Sequence, residues 1–89
     1  MDICEKIKLI RKTENLTQKE FCEETGLTLS ALKKYETGLR NAPNGVELQK
    51  ITTSQRFMKY TLWLMTDTVA PEANQISPEA EEVRLGRRA

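Results

Sequence analysis

Residues 18 to 36 read as two short helices that must turn at a single glycine, and no other stretch constrains the chain as much. Thr17 supplies a helix N-cap and Glu20 follows three residues later. That spacing forms a capping box, in which each side chain satisfies a free N–H group at the helix start. Gly26 ends the helix, because glycine enters the left-handed conformation of a helix C-terminus at little steric cost. Thr28 then restarts the chain as a second N-cap.

The second of these helices, 29 to 36, can be oriented by angle. Stepping about 100° per residue places Ala31, Leu32 and Tyr35 on one side and Leu29, Ser30, Lys33, Lys34 and Thr37 on the other. The first stripe is a core face. The second has what a DNA major groove demands: a methyl-seeking Leu29, a hydroxyl at Ser30 and long cationic donors at Lys33 and Lys34.

The rest of the chain predicts further helices. A first helix begins at Asp2-x-x-Glu5, carries Ile3, Ile7 and Ile10 at core spacing, and runs to about Thr13. Asn44 caps a fourth, with Glu47 three residues on and Leu48 and Ile51 facing inward. A fifth, from about Gln55 to Thr66, buries Phe57, Tyr60 and Trp63 or Leu64. The fold class is therefore all-α, and 89 residues suit one small domain on one modest core. Net charge is only +1, but residues 1–66 hold 11 Lys+Arg against 8 Asp+Glu, whereas residues 67–89 hold 3 against 5. The folded part is the basic part, as nucleic-acid binding requires of a local face.

Several positions together resemble the lambda-repressor-like (Cro/repressor, XRE-type) helix-turn-helix class over roughly residues 1–66. They are Arg11, Leu16-Thr17-Gln18, Gly26, Glu36, the loop from Gly38 to Pro43, and Trp63-Leu-Met65. The chain departs from that pattern at Cys22, at Leu29 and at Glu23-Glu24. The resemblance implies a five-helix DNA-binding domain spanning 1–66. It also implies an ion pair between Arg11 and Glu36 that ties the first helix to the reading helix; the alternative is an ordinary solvated pair worth about 0 to 1 kcal/mol.

The expected function is that of a sequence-specific DNA-binding regulator, a phage- or bacterial-type repressor acting as a homodimer on a double-stranded operator. Gln18 is expected to contact phosphate, and Thr28 the backbone. Leu29, Ser30, Lys33 and Lys34 are expected at base edges or nearby phosphates, and Arg40 and Asn41 on the flanking backbone. The dimer contact is assigned to Leu62, Trp63 and Met65, because Leu62-Trp-Leu-Met65 has more apolar residues than one core stripe can use. Residues 67–89 read as a linker with Pro71, followed from Ser77-Pro78 by either a short helix or a solvated tail. In the helical reading the tail joins the dimer contact. Two alternatives are an antitoxin whose tail binds a toxin, and a protein-interaction adaptor that does not read DNA.

Other chemistry finds little material. There is no histidine, and Cys4 and Cys22 are the only cysteines, so no zinc finger or Cys/His nucleophile can be assembled. Both cysteines are expected as free, small buried hydrophobes. No catalytic site, metal or cofactor is expected. No apolar run reaches the ~18 to 20 residues of a membrane span, and the expected setting is a reducing bacterial cytoplasm, at the nucleoid.

Overall fold

Five of the six α-helices among the described residues begin where a polar side chain caps them, and those caps account for most of the element order. The computed structural model describes residues 1–39 and 42–88. Helix α1 (Ile3–Thr13) starts at Asp2, whose carboxylate accepts from the Glu5 N–H. Helix α2 (Gln18–Thr25) starts at the Thr17–Glu20 capping box, with both reciprocal hydrogen bonds formed. Helix α3 (Leu29–Thr37) starts at Thr28 and ends at Gly38, which is left-handed at φ 80°. Helix α4 (Gly45–Thr52) starts at a second capping box, Asn44 with Glu47. Helix α5 (Thr61–Thr66) follows a 3-10 turn at Met58–Tyr60. Helix α6 (Pro78–Arg84) is capped by Ser77, with proline at its first position, where no N–H is needed.

The architecture is all-helical, as expected, with one helix beyond the five. The fifth helix is shorter than its apolar spacing suggests. From Ser54 the chain runs through turns, the Ser54 carbonyl accepting from both the Phe57 and Met58 N–H groups. Tyr60, with ψ near 2°, then leaves the helical region before α5 begins. The stretch expected as a linker is folded on itself. Ala70 and Gln75 exchange both backbone hydrogen bonds across a 3-10 turn at Pro71–Ala73.

One core joins these elements. Ile7 and Ile10 from α1, Phe21 from α2, Leu32 from α3, Ile51 from α4 and Leu64 from α5 meet Leu27, Phe57 and Tyr60. Phe21 and Phe57 stack with tilted rings, their centroids 4.8 Å apart. Each such side chain contributes about 1.5 to 3 kcal/mol of burial free energy, more than a cap at about 1 kcal/mol. Caps therefore decide where helices start, while the core decides how they pack. A smaller cluster of Cys4, Ala31 and Tyr35 seals α1 against α3.

Lys6, on α1, is buried at 5% exposure. Its ammonium donates to the Trp63 and Leu64 carbonyls at 3.1 and 3.3 Å and pairs with Asp67. A buried cation is tolerated only when paired and hydrogen-bonded. Here it also occupies the C-terminal end of α5, where carbonyls are left without intrahelical partners.

Candidate nucleic-acid interface

The helix-turn-helix is built by bonds local to the turn. Gly26, at φ 83°, donates to the Cys22 carbonyl at 2.8 Å and reverses the chain. A side chain there would meet no atom within 4 Å, so it is the backbone conformation that requires glycine. Buried Thr25 fixes the turn from the other side: its hydroxyl donates to the Phe21 carbonyl at 2.9 Å and accepts from the Leu27 N–H at 3.2 Å. Leu27 then plugs into the core. Thr25 was not among the expected residues. A threonine one residue before a C-capping glycine, on the inward side of α2, was the available signal.

Helix α3 presents its outer face to solvent. Ala31, Leu32 and Tyr35 are buried, while Leu29, Ser30, Lys33, Lys34 and Thr37 are exposed. Leu29 shows 38% of its surface, enough to meet a thymine methyl. The Thr28 hydroxyl accepts from the Ala31 N–H at 3.1 Å, which leaves its own proton to donate outward. Thr37 spends its hydroxyl on the Lys33 carbonyl at 2.8 Å. At the far end, the Tyr35 hydroxyl donates to Glu47, which also caps α4, so α3 is tied to α4 across the intervening loop. Arg40 and Asn41, expected on the flanking backbone, lie outside the described residues.

Behind the reading face sits a knot of three side chains. Arg11 donates to both Glu36 carboxylate oxygens, Nε at 2.7 Å and Nη2 at 2.8 Å, and its Nη1 donates to the Leu16 carbonyl at 2.8 Å. The Gln18 amide donates to the same carboxylate at 3.1 Å. The Glu36 side chain is 4% exposed and that of Arg11 13%. One buried carboxylate thus joins α1, the first residue of α2 and the end of α3. Gln18 has one amide proton committed to this knot and a second available to a phosphate. The negative charge of Glu36 is neutralised internally, which leaves Lys33 and Lys34 as the charges α3 offers outward.

Cys22 lies near the knot. Burial, and then the Glu36 carboxylate, push its thiol above the ordinary range, so it stays protonated and inert. Neither cysteine is joined in a disulfide among the described residues.

The residues assigned to a dimer contact divide. Leu64 is buried, while Leu62 and Trp63 are half-buried. The Leu62 N–H donates to the Gln75 side chain at 2.9 Å, and Trp63 packs on the core with the Lys6 ammonium 5.2 Å from its ring centroid. Part of the apolar excess is therefore covered within the chain. Met65 remains 51% exposed and borders a groove with Val46, Leu48 and Thr61.

Two comparisons with known proteins bear on this site. Residues 7–53 match the model of a helix-turn-helix family, a span that includes α2, the Gly26 turn and α3. Repressor protein C of Escherichia phage P2 is 43% identical over 76 residues, covering 85% of this chain and 76% of that protein.

Proposed function

The chain belongs to the lambda-repressor-like helix-turn-helix family, and on that premise we propose that it is a DNA-binding transcriptional repressor that lays α3 in the major groove of its operator as a homodimer. The observation that carries this reading is the division of α3: three apolar side chains lock it to the core, and its opposite face is free, exposed and cationic. A helix held this way can enter a groove about 12 Å wide without unfolding anything behind it. The phage P2 relative is named a repressor, and it aligns along most of both chains.

Gln18 and Thr28 then clamp phosphates on either side of the reading helix, while Leu29, Ser30, Lys33 and Lys34 face base edges. Arg40 and Asn41 follow in sequence as backbone contacts. No helix among the described residues is long and apolar enough to cross a membrane, and we place the protein in the cytoplasm with its DNA.

Dimerisation supplies the second half-site. Two reading helices must stand about 34 to 36 Å apart to enter successive major grooves on one face of DNA. The exposed Met65 side of α5, which shares a groove with Val46 and Leu48 of α4, is the apolar surface offered for that contact.

Selection of bound sequences from random DNA tests both parts. The expected product is an inverted repeat bound by two chains, with Met65→Lys giving a monomer that binds weakly. Selected sites without symmetry, bound by one chain, would remove the dimer. Failure to enrich any sequence would remove the repressor.

A further inference from the structure

The C-terminal segment is fastened by charge to the turn that starts α2. Five side chains of alternating sign run across the molecule: Arg56, Glu14, Lys59, Glu81 and Arg84. Glu14 ends α1. It accepts from Arg56 at 2.9 Å, from the Tyr60 hydroxyl at 2.6 Å and from Lys59 at 3.1 Å. Lys59 reaches on to Glu81 of α6 at 2.6 Å, and Glu81 is held again by Arg84 at 2.6 Å. The two carboxylates are almost wholly buried, with side chains 8% and 3% exposed. Two bonds to backbone carbonyls run beside this chain of charges. Arg87 donates to the Thr13 carbonyl at 2.8 Å, and the Ile76 N–H donates to the Lys59 carbonyl at 2.8 Å.

The anchored turn leads directly into the DNA-facing end of α2. After Glu14 comes Asn15, left-handed at φ 61° and held by one N–H bond to Lys12, and then Leu16, whose carbonyl is gripped by Arg11. Thr17 and Gln18 follow as cap and first helical residue. Asparagine enters this conformation more readily than other non-glycine residues, so it is the contacts on its flanking residues that set where the turn sits.

We propose that the segment 76–88 is a strap that presets the reading head: docked through Glu81 and Lys59 on Glu14, it holds the α1–α2 turn and with it Gln18, so that undocking the strap weakens operator binding. Glu81 and Glu14 are then positioning residues that touch no DNA. The operator arm of this inference rests on the repressor reading; the coupling within the protein does not.

Hydrogen exchange on the full chain carrying Glu81→Gln, and on Glu81→Lys, whose new charge faces Lys59 and Arg84, separates the two. The expected result is faster exchange at the strap amides of Ile76 and Leu85 and also at Asn15 and Leu16, with Thr53 at the end of α4 unchanged. Operator affinity should fall roughly 2- to 30-fold, with the selected base sequence unaltered. Faster exchange in the strap without any change at Asn15 and Leu16 would overturn the proposal, as would equal acceleration at Thr53, which marks global destabilisation. A strap that stays protected in Glu81→Lys would overturn it too, since Glu81 would not be the anchor. If the wild-type chain binds no DNA, the repressor reading fails while the exchange result stands.

Discussion

The reading head and the strap are both short helices set against α1, yet they are secured by opposite means. Around α2 and α3 most of the fastening is local: Thr17 with Glu20, Thr28 with Ala31, Thr25 with Phe21, each three or four residues apart, with the buried Arg11–Glu36–Gln18 knot added behind them. Apolar side chains then press both helices into the core. The strap has Pro78 buried and Ile76 packed inward, but its principal fastenings are ionic and distant, with Glu81 reaching back 22 residues to Lys59 and Arg87 reaching back 74 to Thr13. A helix locked by apolar contact can be stripped of outward charge and remain in place. A helix locked by charge responds to acid and to one substitution. On the proposed reading, the molecule puts its more rigid geometry in the reading head and its adjustable geometry at the far end.

The largest expected effect weighs the ionic knot of the reading head itself. Arg11→Ala leaves Glu36 buried without its fork, and should cost about 3 to 5 kcal/mol in denaturant unfolding. A loss under about 1 kcal/mol would place the pair with solvated ones and sharpen the contrast. Next in size is Leu29→Ala or Ser30→Ala, expected to relax base preference at one half-site position by about 1 to 3 kcal/mol. Sequence selection with each variant measures this, and unchanged preference would deny α3 its role.

Acid should then act on the strap before the reading head. Arg84, against burial and with help from Lys59, holds the Glu81 carboxyl down to about 2. For Glu14, burial acts upward, but the Tyr60 hydroxyl, Lys59 and Arg56 outweigh it and keep the carboxyl below the ordinary glutamate value of 4.5. Both carboxyls are depressed in the folded state, so the stability they give is complete above 4.5 and drains as pH falls toward 2. Amide exchange across that window should show Leu85 losing protection ahead of Leu32. The reverse order would erase the distinction between the two regions. The smallest effect is expected for Lys33→Ala and Lys34→Ala. Each should change stability by no more than about 0.5 kcal/mol, while lowering the salt dependence of DNA binding by about one counterion.

The same contrast explains what could be read before any coordinates. Capping boxes, the Gly26 turn and the α3 stripe are encoded within a few residues, so their positions and the all-helical class followed from spacing. Arg11 with Glu36 needed a family resemblance to bring together, since 25 residues separate them. Nothing in the local pattern marks Glu14, Lys59 and Glu81 as partners, because charges on three separate elements look like any solvated charge until the fold stacks them. The fifth helix was overextended for a related reason. Phe57 and Tyr60 recur at helical spacing, but a chain of tight turns and a 3-10 segment delivers both into the core equally well.

Lys6 carries a consequence of a different kind. With its amine enclosed between α1 and the end of α5, it can be acylated only during the moments when those two helices part. Its labelling rate by an amine reagent, set against that of exposed Lys33 in the same sample, is then a clock for that seam. Slow acylation of one lysine among eight would time an internal event directly, with no residue changed.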